Sequence, residues 1–194
     1  RERAWRLIDS RSNGSPGWYL NLRTWREVAA SMRDWQPFPI TMAVNTMYAL
    51  QRALDRILEE GLPERFRRHK EISRILRRGL EYIGLQPLGD DSCASPTVTA
   101  VYLPTVGEKS GASDCGCITL SPMEVVGFLD RKYGIRIAGG LGALKEKVIR
   151  IGHMGPSANL RCIIPVLFGL EDYLRCKGFE VGLGDSLKAI PGGG

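Results

Sequence analysis

The chain has 194 residues, enough for a real hydrophobic core in one or two domains, and its 43% hydrophobic and 25% charged content is that of an ordinary globular protein. No apolar run approaches the roughly 18 residues that a membrane span needs, and the longest candidate, near Cys162 to Leu170, is interrupted by Pro165. The net charge of +6 is concentrated in one segment, and five cysteines without disulfide-framework spacing fit a reducing, cytoplasmic compartment.

The first stretch is charged and polar, with no signal-like apolar core, and it reads as an internal start within something longer. "RSNGSPG" (11–17) is a turn, and "WYLNLRTW" then returns to aromatic residues suited to packing against a neighbour. Pro37 and Pro39 impose an extended approach to a helix. Thr41 is its expected N-cap; Val44, Met47, Tyr48, Leu50, Leu54, Ile57 and Leu58 recur at helical spacing until Gly61 stops it.

Leu62 to about Ile83 forms a second expected helix, with Phe66, Ile72, Ile75, Leu76, Leu80 and Ile83 on one face. Arg65, Arg67, Arg68, Lys70, Arg74, Arg77 and Arg78 crowd the other. No aromatic residues interleave them for base stacking, so the stripe reads as a solvated face and no nucleic-acid partner is expected.

The pattern then changes. "TVTAVYL" (97–103) is a β-branched strand, Pro122 to Tyr133 a helix, and "IRIA" (135–138) and "VIRIG" (148–152) two further strands. Ser157 is the expected cap of a last helix carrying Leu160, Ile163, Ile164, Leu167, Leu170 and Leu174, kinked at Pro165, and the tail after Cys176 is expected to fray. Two helices followed by β-α-β-β-α make an α+β fold, a small sheet with helices on one face.

The stretch "GIRIAGGLGALKEKVIRIGHMG" (134–155) carries the chemistry. Its glycines lack the four-residue spacing and the Gly-Lys-Ser/Thr ending of a phosphate loop, and no long crossover helix follows to make a dinucleotide fingerprint. They reverse the chain instead, so that "VIRIG" pairs beside "IRIA". Strand alternation puts Val148, Arg150 and Gly152 on one face and Ile149 and Ile151 on the other. A guanidinium on a rigid strand suits bidentate binding of a carboxylate, and equally a structural ion pair at a sheet end.

That stretch resembles the C-terminal signature of class V, fold-type I pyridoxal-phosphate aminotransferases, in the alanine–glyoxylate and serine–pyruvate branch. "FPITMAVNTMYALQRALDRILEEGLPERFRRHKE" (38–71) resembles the same family at the matching distance upstream. The resemblance implies a remnant of the large cofactor-binding domain with a linking helix over 1–60, and a small C-terminal α+β domain with a mainly antiparallel sheet over 61–190. It implies that Arg150 binds the α-carboxylate of the amino or keto acid, and that Thr41 is a cofactor-phosphate ligand donated across a homodimer interface. The implied function is transfer of an amino group between a small amino acid, of alanine or serine type, and a 2-oxo acid of glyoxylate or pyruvate type.

Three departures matter. Some relatives have tyrosine where Phe38 stands. The loop Gly107 to Ser121 is long and holds Cys115 and Cys117, but a desulfurase-type cysteine would follow "IRIA", where the turn has none; two cysteines and His69 and His153 also make no metal site. The family's Schiff-base lysine, its aspartate and its stacking aromatic all precede the "ERAW" region, and none of Lys70, Lys109, Lys132, Lys145, Lys147, Lys177 or Lys188 matches the lysine motif. By itself the chain is expected to lack the covalent catalyst; the rival reading is a non-catalytic α+β interaction or dimerisation domain.

Overall fold

A computed structural model describes residues 2–11, 17–104 and 120–191; Lys109, Cys115 and Cys117 lie outside the described residues. The chain divides into two compact units, Arg1–Glu59 and Glu60–Gly194.

The first unit holds α1 (Glu2–Asp9), α2 (Leu22–Ser31) and most of α3 (Val44–Glu60). Polar contacts join α1 to α2: Arg26 donates two hydrogen bonds to the Asp9 carboxylate, at 3.0 and 2.8 Å, and its guanidinium lies 4.7 Å from the Trp5 ring centre. The Asn21 side chain caps α2 by accepting from the Arg23 amide at 3.1 Å. None of the unit's described residues is buried. Trp35 is 80% exposed and Leu58 76%.

Thr41 is not the N-cap of α3. The helix begins at Val44, and its first turn closes from the Met47 amide to the Ala43 carbonyl at 3.1 Å, which makes Ala43 the flanking residue. Thr41 is exposed in the extended segment just before it.

The second unit contains the core. Helix α4 (Leu62–Tyr82) starts with Pro63 in its first turn, where the missing N–H costs nothing. It ends in a Schellman motif: Gly84, at φ +78°, donates to Glu81 O at 3.0 Å and Leu85 donates to Leu80 O at 2.9 Å. Ile72, Ile75, Leu76, Leu80 and Ile83 are buried as their spacing requires, but Phe66 is exposed, lying a turn short of the core.

Four strands follow: β1 (Gln86–Pro87), β2 (Val98–Tyr102), β3 (Ala138–Gly139) and β4 (Val148–Gly152), in the order β1-β2-β4-β3, all antiparallel. Strand β1 was not expected; it is a two-residue edge strand, where a proline is tolerated. "IRIA" contributes only its last residue to β3. Opposite residues share a face, so Thr99, Val101, Ile149 and Ile151 form the buried side. Helix α4 packs against β1 and β2, and α5 (Pro122–Tyr133) against β3 and β4. Helix α6 (Leu160–Cys176) lies against both helices.

Two expectations about α6 and beyond are corrected. Asn159, not Ser157, caps α6, its side chain accepting from the Cys162 amide at 3.0 Å, while Ser157 closes a preceding 3₁₀ turn by donating to Met154 O. The tail is not frayed over its described length. Asp185–Ala189 forms a 3₁₀ helix packed on α4 and α6, and the fully buried carboxylate of Glu171 accepts from Gly184 N and Ser186 N, both at 2.7 Å, and from Ser186 Oγ at 2.5 Å. Helix α6 runs through Pro165 without interruption.

Candidate functional site

Arg150 stands in the middle of β4, opposite Ala100 on one side and Ala138 on the other. Its neighbours Ile149 and Ile151 point into the core, which sends Arg150 to the opposite face, where it is half-buried. Its Nε donates to the carbonyl of Gly139 at 2.8 Å. No other partner holds it among the described residues, so both terminal nitrogens keep their donors for an end-on, two-pronged contact with a carboxylate.

The glycine cluster therefore does two things. Its first residue supplies the carbonyl that fixes Arg150. Its second allows the turn to close: a Cβ on Gly140 would sit 2.0 Å from the carbonyl oxygen of Leu144, a backbone atom that cannot step aside. Gly140 N in turn donates to Val148 O at 2.9 Å, aligning β3 with β4.

The segment after β4 is clamped from α4. Arg68 places two donors on the Glu60 carboxylate, at 2.6 and 3.0 Å, and its remaining Nη1 on the carbonyls of Gly155 and Ala158, at 2.9 and 2.7 Å. Arg65 adds a contact to Glu60 at 2.9 Å. Arg68, then Arg65, hold the Glu60 carboxyl below the usual carboxylate range. Beside them the buried His69 reaches the Arg65 carbonyl with Nδ1 at 2.7 Å and accepts the Gly155 amide on Nε2 at 2.9 Å. These contacts fix the ring as the neutral Nδ1–H tautomer.

Part of the basic stripe is thus structural: Arg65 and Arg68 are not a solvated face. The sequence did carry a sign of this, since His69 lies three residues before Ile72 and seven before Leu76, on the apolar side of α4.

His153 closes the other side of the same segment. It is fully buried, with Nε2 2.8 Å from Thr99 Oγ1 and its Nδ1 without a hydrogen-bond partner among the described residues. Burial pushes its pKa down to about 4, so the ring is neutral at ordinary pH.

Thr41 belongs to the first unit and Arg150 to the second. A shallow recess at the start of α3 is lined by Met42, Ala43, Val44, Asn45 and Thr46, and Thr41 is not part of its lining. The described lysines offer no reactive amine. Lys132, Lys177 and Lys188 are paired with Asp172, Glu124 and Asp185, and the partners of Lys132 and Lys188 hold those amines above their ordinary range. Lys70, Lys145 and Lys147 are exposed.

No protein-family model matches the chain. Individual proteins do. An uncharacterized aminotransferase of Methanocaldococcus jannaschii is 33% identical over 93% of this chain and 42% of its own length. The (S)-ureidoglycine–glyoxylate transaminase of Bacillus subtilis is 37% identical over 77% of this chain and 33% of its own. Among solved structures, pyridoxamine–pyruvate aminotransferase from Mesorhizobium loti superposes with a TM-score of 0.78 at 29% identity, covering 100% of this chain and 45% of that one. The chain spans less than half the length of these relatives. The chain's homologues are class V aminotransferases of fold type I, and they match it over most of its length.

Proposed function

We propose that the chain is the C-terminal part of a pyridoxal-phosphate-dependent aminotransferase that moves an amino group between a small amino acid, of alanine or serine type, and a 2-oxo acid of glyoxylate or pyruvate type. The observation that carries this is Arg150, anchored through Nε to Gly139 O on a sheet strand with both terminal nitrogens uncommitted among the described residues. Relatives named for alanine–glyoxylate, serine–glyoxylate and ureidoglycine–glyoxylate transfer support the substrate class.

On this reading residues 1–60 are a remnant of the large domain with its linking helix, and residues 61–190 the small domain. The first unit's lack of any buried described residue, with Trp35, Tyr48 and Leu58 exposed, supports a segment that completes its core against further protein. Homodimer formation, with Thr41 serving the neighbouring subunit's site, belongs to the same proposal.

The chain's own residues fit two of the cofactor enzyme's needs. Arg150 would dock the substrate α-carboxylate and so fix the direction of the Cα–H bond; its anchored Nε limits the guanidinium's freedom, so little is lost on binding. The Thr41 hydroxyl, just ahead of the first turn of α3, would hold the phosphate. Pyridoxal phosphate, when bound, supplies the carbonyl that takes up the amino group and the electron sink for the substrate's α-carbon. The family resemblance implies a proton-carrying lysine upstream of Arg1; among the described residues Lys132, Lys177 and Lys188 are ion-paired and Lys70, Lys145 and Lys147 are exposed.

The test is made in the full-length enzyme. Arg150→Ala is expected to weaken amino-acid binding by roughly a hundredfold, the loss of a paired, charge-assisted contact, while cofactor stays bound. Unchanged KM and kcat for the amino acid would overturn the assignment. Thr41→Ala is expected to release cofactor more readily on dialysis with no change in carboxylate preference.

A further inference from the structure

A cleft on the outer side of α4, away from Arg150's strand, has no part in the proposed reaction. It encloses about 670 Å³ between α4 and the segment 91–96. Four cations line it, Arg67, Lys70, Arg74 and Arg77, against two carboxylates, Glu71 and Asp91. Arg67 is committed to Glu64 and Glu71, at 2.6 and 2.8 Å. Lys70 and Arg74 have no partner among the described residues, and Lys70 is fully in reach of solvent.

Arg77 is the built part of this site. Its side chain is only 12% exposed, and two neighbours fix it: Nε donates to Asp91 at 2.7 Å, and Nη1 donates to Ser73 Oγ at 2.5 Å. Ser73, fully buried, donates its hydroxyl hydrogen bond to the Ser95 carbonyl at 3.2 Å, so its oxygen can accept from Arg77. The remaining Nη2 has no partner among the described residues. A fixed guanidinium in the wall with two mobile cations one helical turn apart is an arrangement that grips several anionic groups at once. The volume suits a small molecule, and the lining has no aromatic residue for a base to stack on.

We propose that this cleft binds a small polyanion, a molecule bearing two or more phosphate or carboxylate groups, through Arg77, Arg74 and Lys70. The proposal does not depend on the assignment of Arg150.

Calorimetric titration of the 194-residue chain with pyrophosphate, and separately with citrate, at fixed ionic strength tests it. At least one is expected to bind saturably at one site per chain; pyrophosphate alone identifies a phosphorylated ligand class, citrate alone a polycarboxylate. The double variant Lys70→Glu/Arg74→Glu should weaken that binding at least tenfold, and the milder Lys70→Gln/Arg74→Gln should do so with an unchanged melting curve. Arg136→Glu, a surface cation outside the cleft, should leave it unchanged. No binding by either anion, or equal weakening by Arg136→Glu, overturns the proposal. So does tighter binding of a DNA duplex that the cleft variants do not affect.

Discussion

The two units use their longest helices very differently. Helix α3 has seventeen residues and buries none of them, whereas α4, with twenty-one, buries seven, His69, Ile72, Ser73, Ile75, Leu76, Gly79 and Leu80. Both have the apolar periodicity of a core-facing helix. The difference is that α4 has a sheet and α6 to lie on, and α3's apolar residues have nothing among the described residues of their unit that buries them. Periodicity announces a face, and only tertiary structure supplies its partner.

That contrast can be broken by substitution. Leu76→Ala, at a fully buried site, is expected to cost about 2–5 kcal/mol in urea unfolding, while Leu54→Ala, at a half-exposed site in α3, should stay within about 0.5 kcal/mol in the same chain. A comparable loss at Leu54 would show that α3 has a covered face after all. In the full-length enzyme the two costs should converge if α3 packs on the large domain.

Next in size is Glu171→Ala. It strands three donors, Gly184 N, Ser186 N and Ser186 Oγ, and should cost about 3 kcal/mol. Gly140→Ala is expected to cost about 2–3 kcal/mol, because the turn must open to move Leu144 away, whereas Gly139→Ala, whose Cβ would meet nothing closer than 3.7 Å, should be tolerated. Chemical unfolding of the two variants separates a close-approach glycine from a permissive one.

The smallest effect is a pH dependence. His153 is neutral in the folded chain down to about pH 4, while in the unfolded chain it takes up a proton near pH 6.5. Between those values the unfolded state holds the extra proton, so the stability present above pH 6.5 is lost as pH falls. Roughly 2 kcal/mol should disappear between pH 7.5 and 5, and His153→Gln should flatten that slope. An unchanged slope would assign the acid sensitivity to other groups.

Much of the second unit was legible because its signals are local. The proline openings and glycine stops of α4 and α5 lie in the sequence next to the helices they bound, and the alternation of "VIRIG" placed Arg150 opposite the core. What escaped depends on distant partners. Strand β1 exists only because β2 is there to pair with it. The Arg150 anchor is a backbone carbonyl eleven residues away, which no side-chain pattern records. Arg68 looked solvated because two of its acceptors, the carbonyls of Gly155 and Ala158, lie nearly ninety residues away in the sequence. Thr41 and Ser157 were misplaced as caps for a smaller reason: each precedes its helix by a few residues, so that Ala43 flanks α3 with no side chain to cap it and Asn159 caps α6.

The Glu171 carboxylate makes the last described turn a keystone rather than a trailing end. A Cβ on Gly79 would meet both Leu167 and the carbonyl of Ser186, so α4, α6 and the terminal 3₁₀ helix converge on one point. Removing residues from 178 onward would open the core at that junction. The Ser186 amide, held by Glu171 far from the sheet, should therefore exchange its hydrogen as slowly as the amides of β2 and β4, on the timescale of whole-unit unfolding.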